Sequence, residues 1–346
     1  PILKILLVFS QYRVCERILP IIPHLSKYNL DCFLIYQMSK KHEWPGDNDP
    51  RKQFMVDNSK YFNNIFDEEI PNFKSYDLIV SDDNRVSVRT NLKKIYDNKG
   101  GTMIACFHGP VEKYNNKSFF EEGYKTIYDK TLVLGKKDCL KDYCLPIGIP
   151  SNDILKDKKK SNNHILVIVN FLGNIKSVIG SKPFPITFDN RLVEELDFKS
   201  LQDKLGLPIV IKLKSREGEG RNQVERNKSY VDSIMPDVDY SIVIDGDNDD
   251  LICNSKLVIS SPGTFAFKSI QLGIPTVLIE GSNEDGHFPL FHGFVPPDKK
   301  QISKKIDEMI EYGPYGRDET FIKSVIEGGW NFDSTEKMIK IIEENL

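Results

Sequence analysis

The sequence lacks any long apolar run. The strongly apolar stretches, such as Ile5–Phe9 and Ile165–Val169, hold about five residues, whereas a membrane-spanning helix needs about twenty. No charged stretch followed by a long apolar segment precedes the strand-like start at Pro1–Lys4, so no secretory leader and a cytoplasmic setting are expected. The chain also lacks an excess of either charge. Its 47 Lys and Arg stand against 50 Asp and Glu, a net of −3, which excludes a globally basic nucleic-acid binder. The six cysteines are scattered and form no CxxC, so neither a disulfide scaffold nor a zinc finger is expected. No fixed-period repeat, Walker loop, GxGxxG or complete calcium loop is found. Asp245–Asp250 opens like an EF-hand, but the twelfth position is Lys256 where a glutamate is required.

What the chain has is length and alternation. Its 346 residues suggest about two domains. Short apolar runs at 5–9, 32–36, 77–80, 102–106 and 131–134 alternate with amphipathic stretches, including helices near 14–28 and 88–97. A second series follows at 164–169, 208–212, 240–244, 256–259 and 276–279. Near-continuous apolar strands separated by helices indicate buried parallel sheets, and two series indicate two doubly wound α/β domains. The expected division is a Rossmann-like domain over 1–150, a second over 151–325, and a C-terminal helix within 326–346 that packs back on the first domain. The lysine-rich stretch Ser151–Asn163 reads as a solvated connector, with contact to anionic lipid as the sharper alternative.

Four segments carry candidate chemistry. His108-Gly109 follows the strand ending at Cys106, where α/β sheets bind ligands, and a histidine there can serve as a general base; Lys113 can face an anion. Ser260-Ser261-Pro262-Gly263-Thr264 lies between a strand and a helix. Backbone N–H groups and the helix dipole attract phosphate there, with plain N-capping as the bland alternative. Lys212, Lys214 and Arg216 cluster at a strand end, 212 and 214 sharing one face, where cations can meet a diphosphate. Gly148–Asp153 reads as an interdomain crossing. Asp82 and Glu280, each after a strand, are acceptor or ribose candidates. No metal-ligand cluster or resident cofactor is expected.

With these residues in place, the chain resembles the GT-B glycosyltransferase superfamily, nearest to bacterial CDP-glycerol glycerophosphotransferases and related capsule and teichoic-acid transferases. His108-Gly109 with Lys113 is similar to the family's His-Gly-Thr-Pro-Leu-Lys. Gly148-Ile149-Pro150-Ser151-Asn152-Asp153 is similar to its Gly-x-Pro-Arg-Asn-Asp, and the 260–275 unit to its donor-phosphate turn. Two features depart: no His-Pro pair follows Lys212–Arg216, and Lys268 stands near the family's acidic helix position. The resemblance implies two Rossmann-like domains facing across a cleft. It implies a cytoplasmic transferase at the inner membrane face, moving a sugar or polyol-phosphate from a CDP- or UDP-linked donor to a glycan or lipid-linked acceptor. His108 would be the base, with peripheral membrane contact and no nucleic acid. UDP-N-acetylglucosamine 2-epimerases share this architecture, and Lys4–Phe9 and 258–279 suit either group; epimerisation needs a domain-two histidine, and His287 and His292 lie late in the chain. A non-catalytic nucleotide-sugar binding protein is the third reading.

Overall fold

The computed structural model describes residues 2–10, 12–35, 50–67, 69–82, 89–106, 127–136, 142–169, 195–213, 228, 231–233, 235–244, 246–260, 263–279, 291–295, 298–313, 321–323, 326–327 and 331–346. The chain divides into two compact units, Pro1–Ile154 with Lys323–Leu346, and Leu155–Ile322.

The first unit is a parallel sheet of seven strands: β1 (Lys4–Phe9), β2 (Asn29–Leu34), β3 (Asn64–Phe66), β4 (Leu78–Asp82), β5 (Thr102–Cys106), β6 (Lys130–Val133) and β7 (Cys144–Pro146). Their order is β3-β2-β1-β4-β5-β6-β7, the doubly wound pattern with its reversal between β1 and β4. Strand alternation divides β1 between two cores. Ile5, Leu7 and Phe9 enter one, with Ile18, Ile22, Leu25, Met338 and Ile342. Leu6 and Val8 enter the other, with Leu92 and Ile95 of the helix Arg89–Asp97. An all-apolar strand is therefore required, because both faces are covered.

The expected helix over 14–28 is interrupted. Helix α1 (Tyr12–Ile18) passes into a 3-10 turn, Leu19–Ile21, and then the short α2 (Ile22–Leu25). Pro20 and Pro23 lack the N–H that a continuous α-ladder would use. Strand β2 begins three residues before the apolar run because its polar Asp31 is satisfied tertiarily: the Tyr76 hydroxyl donates to Asp31 Oδ2 at 2.8 Å and Asn64 Nδ2 to Oδ1 at 2.9 Å. The segment read as a polar loop between 36 and 77 contains α3 (Pro50–Asp57) and the edge strand β3. Helix α4 (Arg89–Asp97) matches the expected element.

The second unit is a six-stranded parallel sheet: β8 (His164–Val169), β9 (Ile209–Leu213), β10 (Tyr240–Val243), β11 (Ser255–Ser260), β12 (Thr276–Ile279) and β13 (Phe294–Val295). The order β10-β9-β8-β11-β12-β13 again reverses direction beside its first strand, between β8 and β11. Its helices are α5 (Phe198–Leu205), α6 (Asn248–Cys253), α7 (Thr264–Gln271) and α8 (Lys299–Tyr312). Aspartates open three of them: Asp197 accepts from Ser200 N at 3.1 Å, Asp247 from Asp249 N at 2.8 Å, and Asp298 from Gln301 N at 2.9 Å. The last helix, α9 (Ser334–Glu343), belongs to the first unit, where Met338 and Ile342 are fully buried. Burying two such side chains contributes up to about 3–6 kcal/mol.

His164, the first residue of β8, is buried between Leu251 O, 3.0 Å from Nε2, and the Asn163 side-chain amide, 2.7 Å from Nδ1. Burial lowers its pKa from the ordinary 6.5, outweighing the raising effect of the Leu251 carbonyl. Between the depressed folded value and 6.5, the unfolded chain binds more protons, so stability rises with pH across that interval and levels above it. Thermal melts from acid to neutral pH are expected to show this slope in the wild type and a flatter one in His164→Gln. Parallel curves for the two proteins would refute it.

Candidate functional site

Open α/β sheets bind ligands outside the carboxyl ends of strands at the point where strand order reverses. In the second unit that point lies between β8 and β11. Strand β11 ends at Ser260, and α7 starts at Thr264. The N-cap of α7 is Gly263, in extended conformation (φ −176°, ψ 178°), and it makes no side-chain cap hydrogen bond. Its carbonyl accepts from Ala266 N at 3.1 Å, which opens the helix. The first N–H groups of a helix have no partner in the helix itself, and a glycine cap supplies no hydroxyl for them. Capping by a serine or threonine at this position, the bland alternative, is thus not what the N-cap residue provides. Ser260 is buried at the end of its strand. Ser261 and the side chain of Thr264 lie outside the described residues.

The far end of α7 is tied down tightly. Gly273 (φ +66°) permits a left-handed turn in which Gly273 N donates to Ile270 O at 2.9 Å and Ile274 N to Ser269 O at 3.0 Å. Lys160 Nζ donates to Leu272 O, and Thr276 Oγ1 to Ser269 Oγ at 2.9 Å. This fixes the Gly-Ile-Pro turn and aims the amino end of α7 at the strand reversal. Lys268, which stands where the resembled family has an acid, pairs with Asp249 of α6. Asp247 caps α6 and also lies 3.3 Å from Lys158 Nζ, which bonds Asp250 at 2.7 Å. Burial raises the Asp247 carboxyl, but the helix N–H groups and Lys158 outweigh it and the net shift is downward. Two lysines of the run at 156–160 are therefore committed to this unit.

The cation cluster at the end of β9 is only partly described. Lys212 is buried, and its Nζ donates to the Leu213 carbonyl at 2.8 Å and to that of Ile244. Its ammonium is thereby engaged by two backbone carbonyls at the strand exits. Lys214, Arg216 and Glu280 lie outside the described residues. His292 is described: it lies two residues before β13, 3.7 Å from Glu308. His287 lies outside the described residues.

In the first unit, β4 and β5 run in register to their ends, Asp82 opposite Cys106. Asp82 therefore sits at the carboxyl edge beside the strand that His108 follows by two residues; its side chain, His108 and Lys113 lie outside the described residues. At the same edge stands Arg51 of α3. It is buried, and its Nη1 donates to Ser10 O at 2.7 Å and Ile35 O at 3.0 Å, holding the exits of β1 and β2 together. A lone arginine in a polar stretch offered no signal of this.

The crossing Gly148–Asp153 has a definite partner. Ile149 N donates to Ser334 Oγ at 3.0 Å, and Thr335 N to Asp153 Oδ2 at 2.6 Å. Asp153 thus supplies the cap that Asp333, the N-cap residue of α9, does not make. Burial raises the Asp153 carboxyl, opposed by the bonds from Thr335 and Ser334. The segment read as a linker is in part a 3-10 helix, Pro150–Leu155. A hollow of about 380 Å³ lined by Lys74, Asp77, Gly100, Gly101, Thr102 and Asn345 lies at the amino ends of β4 and β5, the edge opposite the reversal, and has no part in the site.

Among the described residues, no group of three or more His, Cys, Asp or Glu could hold a metal ion, and no helix is long and apolar enough to cross a membrane. The described cysteines 15, 32, 106, 144 and 253 are buried thiols.

Two Rossmann-like parallel-sheet units define a GT-B fold, and solved structures share it over their whole length. The UDP-GlcNAc 2-epimerase of Neisseria meningitidis, bound to UDP-GlcNAc, aligns with a TM-score of 0.61 at 12% identity, covering 99% of this chain and 100% of that one. HepE of Anabaena, in complex with UDP and glucose, gives 0.60 at 11%, covering 99% and 100%. A glycosyltransferase of Rickettsia africae gives 0.56 at 13%, covering 99% and 98%. No family model and no curated protein matches the sequence. The likeness carries the fold and lends no support to CDP-glycerol as the donor.

Proposed function

We propose that this chain is a nucleotide-sugar enzyme of GT-B fold, and within that class a transferase. The observation that carries the reading is Gly263: a helix N-terminus at the strand reversal of the second unit, opened by a residue with no side chain. A diphosphate accepts hydrogen bonds from the N–H groups there and meets the positive end of the helix dipole. His108 removes the proton from an acceptor hydroxyl, whose oxygen attacks the activated carbon or phosphorus of the donor. The bond to the nucleotide breaks, and the negative charge of the leaving group is stabilised at Gly263–Thr264, with Lys214 and Arg216 adding positive charge. The acceptor is a glycan or lipid-linked hydroxyl, the setting is cytoplasmic, and the chemistry draws on no resident cofactor.

Epimerisation of a UDP-sugar is the second reading, favoured by the likeness to epimerase structures. Both readings place a nucleotide at Gly263.

The test is Gly263→Asp. The extended backbone there accepts an aspartate, which caps helices well, within a few tenths of a kcal/mol of glycine or better. Its carboxylate repels a diphosphate. Calorimetric titration with UDP, CDP and UDP-GlcNAc is expected to show binding to wild type. The variant should bind at least tenfold more weakly with an unchanged or raised melting temperature. Equal affinity in both proteins would remove the nucleotide from this site.

A further inference from the structure

Lys212 occupies the fourth of five positions in β9 and is 7% exposed. A buried ammonium is costly unless hydrogen-bonded. Here it donates to the carbonyl of Leu213, the last residue of β9, at 2.8 Å, and to that of Ile244, the residue after β10. One charged group therefore grips the exits of two neighbouring strands.

The register relates this grip to the nucleotide site. Lys212 is level with Ile168 of β8, and Ile168 with Ser260 of β11. Residues level across a parallel sheet project from the same face, so Lys212 and Ser260 share one, two strand spacings or about 10 Å apart. The chain leaves the Leu213 exit directly into Lys214-Ser215-Arg216. We infer that Lys212 is a positioning residue for the nucleotide site, locking the exits of β9 and β10 at the carboxyl edge that flanks it. This rests on the reading that the carboxyl edge at β8 and β11 holds a nucleotide diphosphate. The role is geometric: charge-assisted bonds to carbonyls hold the main chain, and small displacements of binding groups cost far more than small changes in a screened field.

UDP titration of the whole chain at low and high salt, paired with thermal melts, tests it on Lys212→Met, Lys212→Gln and Lys212→Arg. At temperatures where each is folded, the Met and Gln variants are expected to bind UDP at least tenfold more weakly than wild type. That ratio should persist at high salt, and Arg should restore affinity to within about threefold. Should the Met variant not fold, the Gln variant decides. A folded Met or Gln variant that binds UDP within twofold of wild type overturns the inference, and so does failure of Arg to restore binding. A wild type that binds no nucleotide removes the proposed function and this inference together; wild-type binding with intact variant binding removes this inference alone.

Discussion

Replacing Gly148 with alanine is expected to destabilise the first unit by about 2–4 kcal/mol. The residue has φ +83°, a region that side-chain-bearing residues rarely adopt. An added Cβ would lie 2.3 Å from Ser334 Oγ and 2.5 Å from the Glu327 carbonyl oxygen. The carbonyl belongs to the main chain and cannot rotate aside. Neither can the glycine withdraw, because its N–H donates to Leu134 O at 2.8 Å, the same oxygen that accepts from Glu327 N at 2.8 Å. Displacing Ser334 would break its bond with Ile149 N and disturb the start of α9, whose Met338 and Ile342 complete the core beside β1. Urea denaturation checks the value. A double-mutant cycle with Ser334→Ala separates the causes: removing the hydroxyl should relieve part of the penalty, and the clash with Glu327 should keep the rest. A melting midpoint within experimental error of wild type for Gly148→Ala would contradict this account of the crossing.

His108→Ala is expected to lower turnover by about 10²–10⁴-fold, the usual contribution of a positioned general base. Donor affinity should stay within about twofold, because the nucleotide is assigned to the second unit and His108 to the first. Nucleotide release from UDP-GlcNAc and other donors, measured with a panel of glycan acceptors, gives turnover; titration gives affinity. Equal turnover in wild type and variant would remove His108 from the base role. Incubating UDP-GlcNAc with wild type and no acceptor separates the two readings. An epimer as product favours epimerisation, whereas transfer that depends on an added hydroxyl favours the transferase.

Where burial was symmetric, local pattern was a sufficient guide. The runs at 102–106, 164–169 and 276–279 coincide with β5, β8 and β12, because a strand covered on both faces must be apolar throughout. Where polar groups find partners far along the chain, the pattern failed. Asp31 sits within β2 because Tyr76 and Asn64 satisfy it, and Asp247, in the stretch that opens like an EF-hand, caps α6. The site was legible in the same uneven way. The strand–turn–helix unit ending in Gly-Ile-Pro was visible from residue types, but that Gly263 and not a hydroxyl residue is the N-cap was not. The residue types at 212–216 signalled cations; they did not signal that Lys212 is turned onto carbonyls.

The absence of long apolar runs, the balanced charge and the alternation of short strands with amphipathic helices were sufficient to specify two doubly wound parallel sheets. Those features follow from periodicity and burial, which are local properties of the chain. Tertiary structure alone decided which side chains meet: Asp153 with the amino end of α9, Arg51 with the exits of β1 and β2, Lys212 with those of β9 and β10. These contacts join residues through space, with separations up to 182 in the case of Asp153 and Thr335. A hydrogen bond between residues so far apart leaves no period in the sequence, because its geometry exists only once both partners have been placed by the sheets.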